Sequence, residues 1–241
     1  MATLYCHRDP DALTLTTEVV AASPGRVRLA DSPFFPGGGG QLPDRGVLRH
    51  AGGEIQIAGF AQEADGLWHL LAEPVELSAG PVEAFVDADF RRLMSELHTD
   101  MHIVNALVYQ SFDGALVTGA QMNHDGTGRI DFDLPEADND RLRALEGPIN
   151  DAIRQDFCVR ATYVDETVVR TEPGLIRSRS VAPPPSDDGT IRVVEIVGLD
   201  RQACGGTHLV STGASRQLKI LKIENKGRHN RRLRVGLDGM A

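Results

Sequence analysis

Residues 87–110, DADFRRLMSELHTDMHIVNALVYQ, mark the point where this chain changes character. The apolar residues Phe90, Leu93, Leu97, Met101, Val104 and Val108 recur at intervals of 3, 4, 4, 3 and 4. That spacing places them on one face of an amphipathic helix. Asp87 or Asp89 is positioned to cap its start, and Gly114 lies just beyond its end. His98 and His102 are four apart, so both leave the helix on one side. They fall beside the apolar stripe and not within it. The helix is therefore expected to present two imidazoles at the edge of a core.

Upstream the pattern is one of short runs. Thr14–Val20, Arg26–Ala30, Gly46–Arg49, Glu54–Phe60 and Leu67–Leu71 are each bounded by Gly, Pro or Asp, which predicts strands. Their even spacing suggests a small β-barrel. Glu73–Pro81 reads as a linker, so residues 1–85 and 86–241 are expected to form separate domains. Downstream, a second helix is expected from about Pro135, with Leu142, Leu145, Ile149 and Ile153 on its buried face. Gly147-Pro148 should kink or split it. Arg160–Val164, Ile191–Val197, Leu218–Glu224 and Arg232–Leu237 look extended, and the last two flank a long hairpin turn at Asn225–Arg231. Residues 183–189 read as a short loop. The predicted fold class is α+β: an N-terminal barrel, then an antiparallel sheet packed on helices.

The bulk composition is compatible with this. A chain of 241 residues with 41% hydrophobic and 24% charged residues has enough apolar material for a genuine core. No apolar run approaches a membrane span, and the first residues show no signal-peptide pattern. Cys6, Cys158 and Cys204 are too few and too scattered for a disulfide framework, so a reduced, cytoplasmic setting is expected. The net charge of −9 argues against nucleic acid as a partner, but its distribution does not. From Arg216 to Arg234 there are eight basic residues against one acid, Glu224, which gives 8 − 1 = +7 and leaves −16 for the rest. Such a stretch on an acidic body is either a phosphate footprint or a solvated hairpin.

A second motif, Cys204-Gly205-Gly206-Thr207-His208, complements the histidine pair. Its two glycines disfavour a helix and favour a tight turn. Two His plus a Cys/His pair form a nitrogen- and sulfur-rich set, which suits zinc better than calcium or magnesium. The helix resembles that of zinc proteases, but those carry Glu directly after the first His as general base, and here Thr99 stands there. A protease of that type is thereby disfavoured. The spacing leaves open whether four ligands close the metal shell or three leave a position for water or substrate. A third unusual segment, Pro36 to Gly46, holds Gly37-Gly38-Gly39-Gly40 followed by Gln41. Four glycines permit close backbone approach, and the absence of a following Gly-Lys-Ser/Thr rules out a phosphate P-loop.

Taken together, His98-Thr99 with His102, Cys204 to His208, and Gly39-Gly40-Gln41 followed by Asp44 and Gly46 resemble the AlaX family. These are free-standing relatives of the alanyl-tRNA synthetase editing domain. The similarity continues through Pro173-Gly174-Leu175 and Lys222 to Arg232 and covers nearly the whole chain. The threonyl-tRNA synthetase editing domain is similar but more distant. The resemblance implies a zinc-dependent aminoacyl-tRNA deacylase acting in trans on Ser or Gly wrongly esterified to tRNA(Ala). It also implies a translation-factor-like barrel followed by an α+β editing domain. Carried over, His98, His102, Cys204 and His208 form the Zn2+ set. Gln41 sits near the pocket, and Thr99 offers its hydroxyl to a substrate hydroxyl. Lys222, Lys226, Arg228, Arg231 and Arg232 on the basic hairpin are the expected contacts to the acceptor end of tRNA. Asp100 departs from the pattern, which leads one to expect a small or apolar residue. Facing the pocket it would alter amino-acid specificity, and facing solvent, the leading expectation, it would be neutral. Alternatives are a deacylase of a threonyl-type aminoacyl-tRNA (Thr or a toxic analogue such as a fluorinated one), a non-catalytic tRNA-binding protein with structural zinc, and a zinc hydrolase of small esters.

Overall fold

The computed structural model describes residues 4–135, 138–179 and 185–239. The chain divides into two compact units. One contains the residues up to Gly38 together with Leu42–Arg92, and the other contains Gly39–Gln41 and the chain from Leu93 onward.

The first unit opens with a single helical turn, α1 (Tyr5–Arg8), followed by β1 (Thr14–Ser23), β2 (Arg26–Leu29), β3 (Gly46–His50), β4 (Gly53–Glu63), β5 (Gly66–Leu71) and β6 (Gly80–Val86). These six strands close a barrel in the order β1-β2-β5-β4-β3-β6. Alternation of buried and exposed positions builds the interior. Val19, Val27, Leu48, Ile55, Ile57, Val82 and Ala84 point inward and pack as one cluster. Glycine is required at Gly46, because a Cβ there would run into the Phe85 carbonyl and the Phe34 ring. Two polar features are buried among the apolar groups. Arg91 Nε donates to both oxygens of Asp44 at 2.9 Å, its Nη2 donates to the Pro33 carbonyl at 2.8 Å, and the Phe35 N–H donates to Asp44 Oδ2 at 2.6 Å. Ser32 Oγ lies 2.7 Å from His69 Nε2.

Strand β6 corrects an expectation. Gly80 and Pro81 were expected to end a linker, yet they begin the strand that closes the barrel between β1 and β3. Proline is tolerated because β3 pairs only with residues 83–86, so Pro81 has β1 alone as a neighbour.

Helix α2 (Ala88–Ser111) follows directly, and Asp87 caps it by accepting from the Phe90 N–H at 3.0 Å. From Leu93 the helix belongs to the second unit, with β7 (Val117–Met122), β8 (Thr127–Asp133), α3 (Asn139–Arg143), α4 (Glu146–Arg154), β9 (Val159–Asp165), α5 (Glu166–Thr171), β10 (Thr190–Ile196), β11 (Asp200–Ala203), a 3-10 turn (Thr212–Ala214), β12 (Leu218–Lys226) and β13 (Asn230–Leu237). Two antiparallel sheets result, a four-stranded β12-β13-β8-β7 and a three-stranded β11-β10-β9. Helices and antiparallel sheets thus confirm the α+β class. No helix among the described residues is long and apolar enough to cross a membrane.

Several local expectations change. Strands β7, β8 and β11 and helix α5 were not anticipated, since Gly119, Gly126 and Gly128 interrupt the alternation of the first two. The second helix is two helices. Asp138 caps α3, and the break falls at Ala144-Leu145, before Gly147-Pro148. Pro148 sits in the first turn of α4, where a missing N–H costs nothing. The hairpin turn is shorter than expected, since strand pairing persists to Lys226 and Asn230. Of the loop expected at 183–189, residues 183 and 184 lie outside the described residues.

The largest difference concerns α2. All residues from Met94 to Ala106 are buried, so the helix is enclosed on every side. An amphipathic surface helix would leave its polar face in water. Here Ser95, Glu96, His98, Thr99, Asp100, His102 and Asn105 are buried with Leu97, Met101 and Val104. Enclosed polar groups require partners, and those partners define the site.

Candidate metal centre

His98, His102, Cys204 and His208 offer ligand atoms that all lie within 4.8 Å of one another. The two motifs, about a hundred residues apart in sequence, therefore meet in space. Cys204 Sγ stands 3.4 Å from His98 Nε2 and 3.4 Å from His208 Nε2. Tetrahedral zinc, with Zn–N near 2.0–2.1 Å and Zn–S near 2.3 Å, holds such atoms about 3.5 Å apart. The donor set and its spacing thus fit zinc.

The orientation of each ring supports the same fit. The Thr207 N–H donates to Gln41 Oε1 at 3.0 Å, which fixes the amide so that its Nε2 donates to Thr207 Oγ1 at 2.8 Å. Oε1 only accepts, so His98 Nδ1, 2.8 Å away, must carry the proton. Thr99 Oγ1 donates to the Ser95 carbonyl at 2.8 Å and accepts from the Leu209 N–H at 3.0 Å. His208 Nδ1, 3.4 Å from that oxygen, then faces an acceptor as well. His102 turns Nδ1 toward the Asp200 carboxylate at 3.4 Å. His98 and His208 thus turn Nδ1 to an oxygen and Nε2 to Cys204, and His102 Nδ1 lies at ion-pair distance from Asp200.

The turn that brings in Cys204 is held from behind. Arg192 on β10 is buried, and its Nη1 donates to the carbonyls of Cys204 at 2.9 Å and Gly206 at 3.0 Å. Gly206 must be glycine, since a Cβ would strike the His98 ring and Gln41. Gly37 to Gly40 all adopt positive φ, the left-handed backbone that glycine alone adopts easily. Gly40 lies against β7: a Cβ would come within 2.7 Å of the Ala120 carbonyl, and the Gly40 carbonyl accepts from the Met122 N–H at 2.8 Å. This close approach delivers Gln41 to His98.

Electrostatically the four groups form one set. Burial pushes the Cys204 thiol up, but the imidazoles of His98, His102 and His208 outweigh it and hold the thiol well below its usual range. Burial pulls His102 down, whereas the Cys204 thiolate and Asp200 raise it to about 9. Burial, then the neighbouring His98, pushes His208 well below its ordinary value. A thiolate among imidazoles is the state a soft cation binds. Of the four, only His208 is partly exposed.

Three expectations are revised. Asp100 does not face solvent: it is fully buried, and Ser215 Oγ donates to its Oδ2 at 2.8 Å. Burial raises its carboxyl well above the usual range. Its neighbour Glu96 binds Arg216 through both oxygens, at 2.9 and 2.8 Å. Thr99 has its hydroxyl proton engaged by the Ser95 carbonyl, and its oxygen is turned to the Leu209 N–H and the His208 segment. The five expected tRNA contacts also divide. Lys222, Lys226 and Arg228 are exposed. Arg231 is buried, and Arg232 binds both oxygens of Asp131 at 2.7 Å. Arg234 holds Glu224 down to about 2. Counting charges along the segment had overlooked acids on neighbouring strands. Sequence reasoning missed Ser95, Arg177, Arg192, Asp200 and Thr207. Of these only Thr207 lay inside a recognised motif.

Comparison with known proteins shows the family. Residues 191–234 match the family described as the threonyl and alanyl tRNA synthetase second additional domain. The alanyl-tRNA editing protein AlaX-M of Methanosarcina barkeri is 35% identical over 86% of this chain and 86% of its own length. AlaX-M of Saccharolobus solfataricus is 32% identical over 89% and 90%. The alanine–tRNA ligase of Salinispora tropica is 30% identical over 87% of this chain but only 24% of the ligase. The chain belongs to the AlaX family of alanyl-tRNA editing proteins.

Proposed function

We propose that this protein hydrolyses the ester joining a wrongly attached amino acid, serine or glycine, to tRNA(Ala), with zinc held by His98, His102, Cys204 and His208. The observation that carries this reading is the convergence of those four side chains with every imidazole Nδ1 turned outward. The names of the relatives, alanyl-tRNA editing proteins, supply the substrate class. Bound there, zinc would supply a positive centre to orient the amino acid, and a shell with three of the four side chains would leave a position for the ester carbonyl or water.

The chain's own groups have distinct tasks. Gln41 holds His98 in its donor tautomer and ties the glycine loop to Thr207. Arg192 turns the Cys204 and Gly206 carbonyls toward itself, which keeps their negative ends away from the scissile ester. Thr99 acts as a positioning group for His208 through its own oxygen and the Leu209 N–H. The substrate's aminoacyl end enters on the His208 side, the least buried edge of the cluster. Lys222, Lys226 and Arg228 bind phosphates of the acceptor stem and add affinity without reading sequence.

A panel of tRNAs charged with Ser, Gly, Ala, Thr and fluorinated Thr tests the reading. The expected result is rapid loss of Ser and Gly from tRNA(Ala), with Ala-tRNA(Ala) spared. Turnover confined to threonyl-type substrates would overturn the amino-acid assignment. Binding without turnover of any member would overturn the enzyme assignment.

A further inference from the structure

Behind the His102 ring runs a chain of polar groups that neither motif contains. The Asp200 side chain is fully enclosed. Its Oδ2 faces His102 Nδ1 at 3.4 Å and accepts from Gln202 Nε2, while its Oδ1 meets Arg177 Nη1 at 2.7 Å. Gln202 Oε1 in turn accepts from Asn105 Nδ2 at 2.9 Å. Arg177 Nε donates to the Gly174 carbonyl at 2.9 Å, and its guanidinium stacks 4.2 Å from the Tyr109 ring centroid. His102, Asn105 and Tyr109 are spaced 3 and 4 along α2 and form one stripe of the helix. Gly174 has φ +85°, and a Cβ there would lie 3.4 Å from the Tyr109 hydroxyl. The Pro173-Gly174-Leu175 segment thereby gains a physical role. Its left-handed glycine brings the chain close to Tyr109 and presents a carbonyl to Arg177.

A buried carboxylate is costly unless it is paired, and Arg177 supplies that pairing. The three imidazoles then differ in what stands behind them. His98 has a neutral amide oxygen, His208 a hydroxyl and His102 a carboxylate. A carboxylate at Nδ1 fixes the proton there, orients the ring and makes Nε2 a stronger donor.

We propose that Asp200, held in place by Arg177, is the positioning residue that orients His102 toward the cluster and makes it the strongest of the three imidazole ligands. This inference rests on the zinc reading above.

The test uses the full-length protein, first stripped of metal and then titrated with zinc against a chromogenic chelator. A parallel titration uses cobalt, whose visible spectrum reports ligand field and thiolate bonding separately. In Asp200→Asn the zinc affinity is expected to fall 10- to 100-fold, with the cobalt ligand-field bands shifted and the Cys204 charge-transfer band retained. Arg177→Lys keeps the charge but loses the planar guanidinium stacked on Tyr109, and it should fall between Asp200→Asn and the unaltered protein. If Asp200→Asn fails to fold, Arg177→Lys decides by the same readouts. An unaltered protein that binds zinc, beside an Asp200→Asn whose affinity stays within about threefold and whose cobalt bands stay unshifted, overturns the inference and leaves the zinc reading standing. An unaltered protein that binds no zinc overturns both.

Discussion

The barrel and the second unit both bury polar side chains, but to different ends. In the barrel, Asp44 and Arg91 bind each other and two backbone groups, and Ser32 pairs with His69. These contacts pin a core that is otherwise built from alternating apolar residues. In the second unit, Gln41, Thr99 and Asp200 take up only the outward atoms of three imidazoles. The inner atoms, one from each histidine and the Cys204 Sγ, lie within 4.8 Å of one another. The barrel pairs turn toward each other and the backbone, whereas the second unit also holds a convergent set of donors.

Substitutions should separate the two kinds of burial. The largest effect is expected from Cys204→Ala. Loss of the thiolate should remove several kcal/mol of catalytic stabilisation, on the order of a thousandfold in deacylation rate, with only a modest change in urea midpoint. A variant that keeps most of its rate would show that Cys204 is merely a buried thiol. Arg91→Ala should do the opposite. It leaves Asp44 buried without its partner, which costs about 3–5 kcal/mol of stability, read from equilibrium urea unfolding. A cost under about 1 kcal/mol would mean that the pair is dispensable.

The pH dependence of the barrel follows from His69, which burial lowers from 6.5 to about 4. A depressed histidine binds fewer protons folded than unfolded in this window. Stability is therefore fully present above the unfolded value and is lost as pH falls from 6.5 toward 4. The drop between pH 7 and pH 5 should be about 2 kcal/mol. His69→Phe should flatten that slope, and an unchanged slope would contradict the assignment. The smallest effects belong to the hairpin. Arg228→Ala should weaken tRNA binding by roughly 0.2–1 kcal/mol and reduce the salt dependence by about one ion. Lys219→Ala, whose cation already pairs with Asp238 at 2.5 Å, should change the salt dependence less.

Much of this was legible in the sequence where a local period or a short motif carried the information. Five barrel strands, α2 and the four convergent donors came from short bounded runs, helical spacing and two motifs. Strand β6 was missed because Gly80-Pro81 reads as a breaker, and only barrel closure shows why it is tolerated. The burial of Asp100 was illegible for a related reason. Helical spacing gives a side but not what covers it, and Ser215 and Arg216 arrive from more than a hundred residues away. Asp200 and Arg177 are invisible to spacing arguments, since their relation to His102 exists only once β11 lies beside α2. Arg232 looked like a phosphate contact until β8 brought Asp131 against it.

The most direct test of a catalytic role for the metal is the initial rate of Ser-tRNA(Ala) deacylation by chelator-stripped protein, before and after adding one equivalent of zinc. Activity should be lost on stripping and recovered at a one-to-one ratio. Full activity in protein verified to be free of metal would contradict that role.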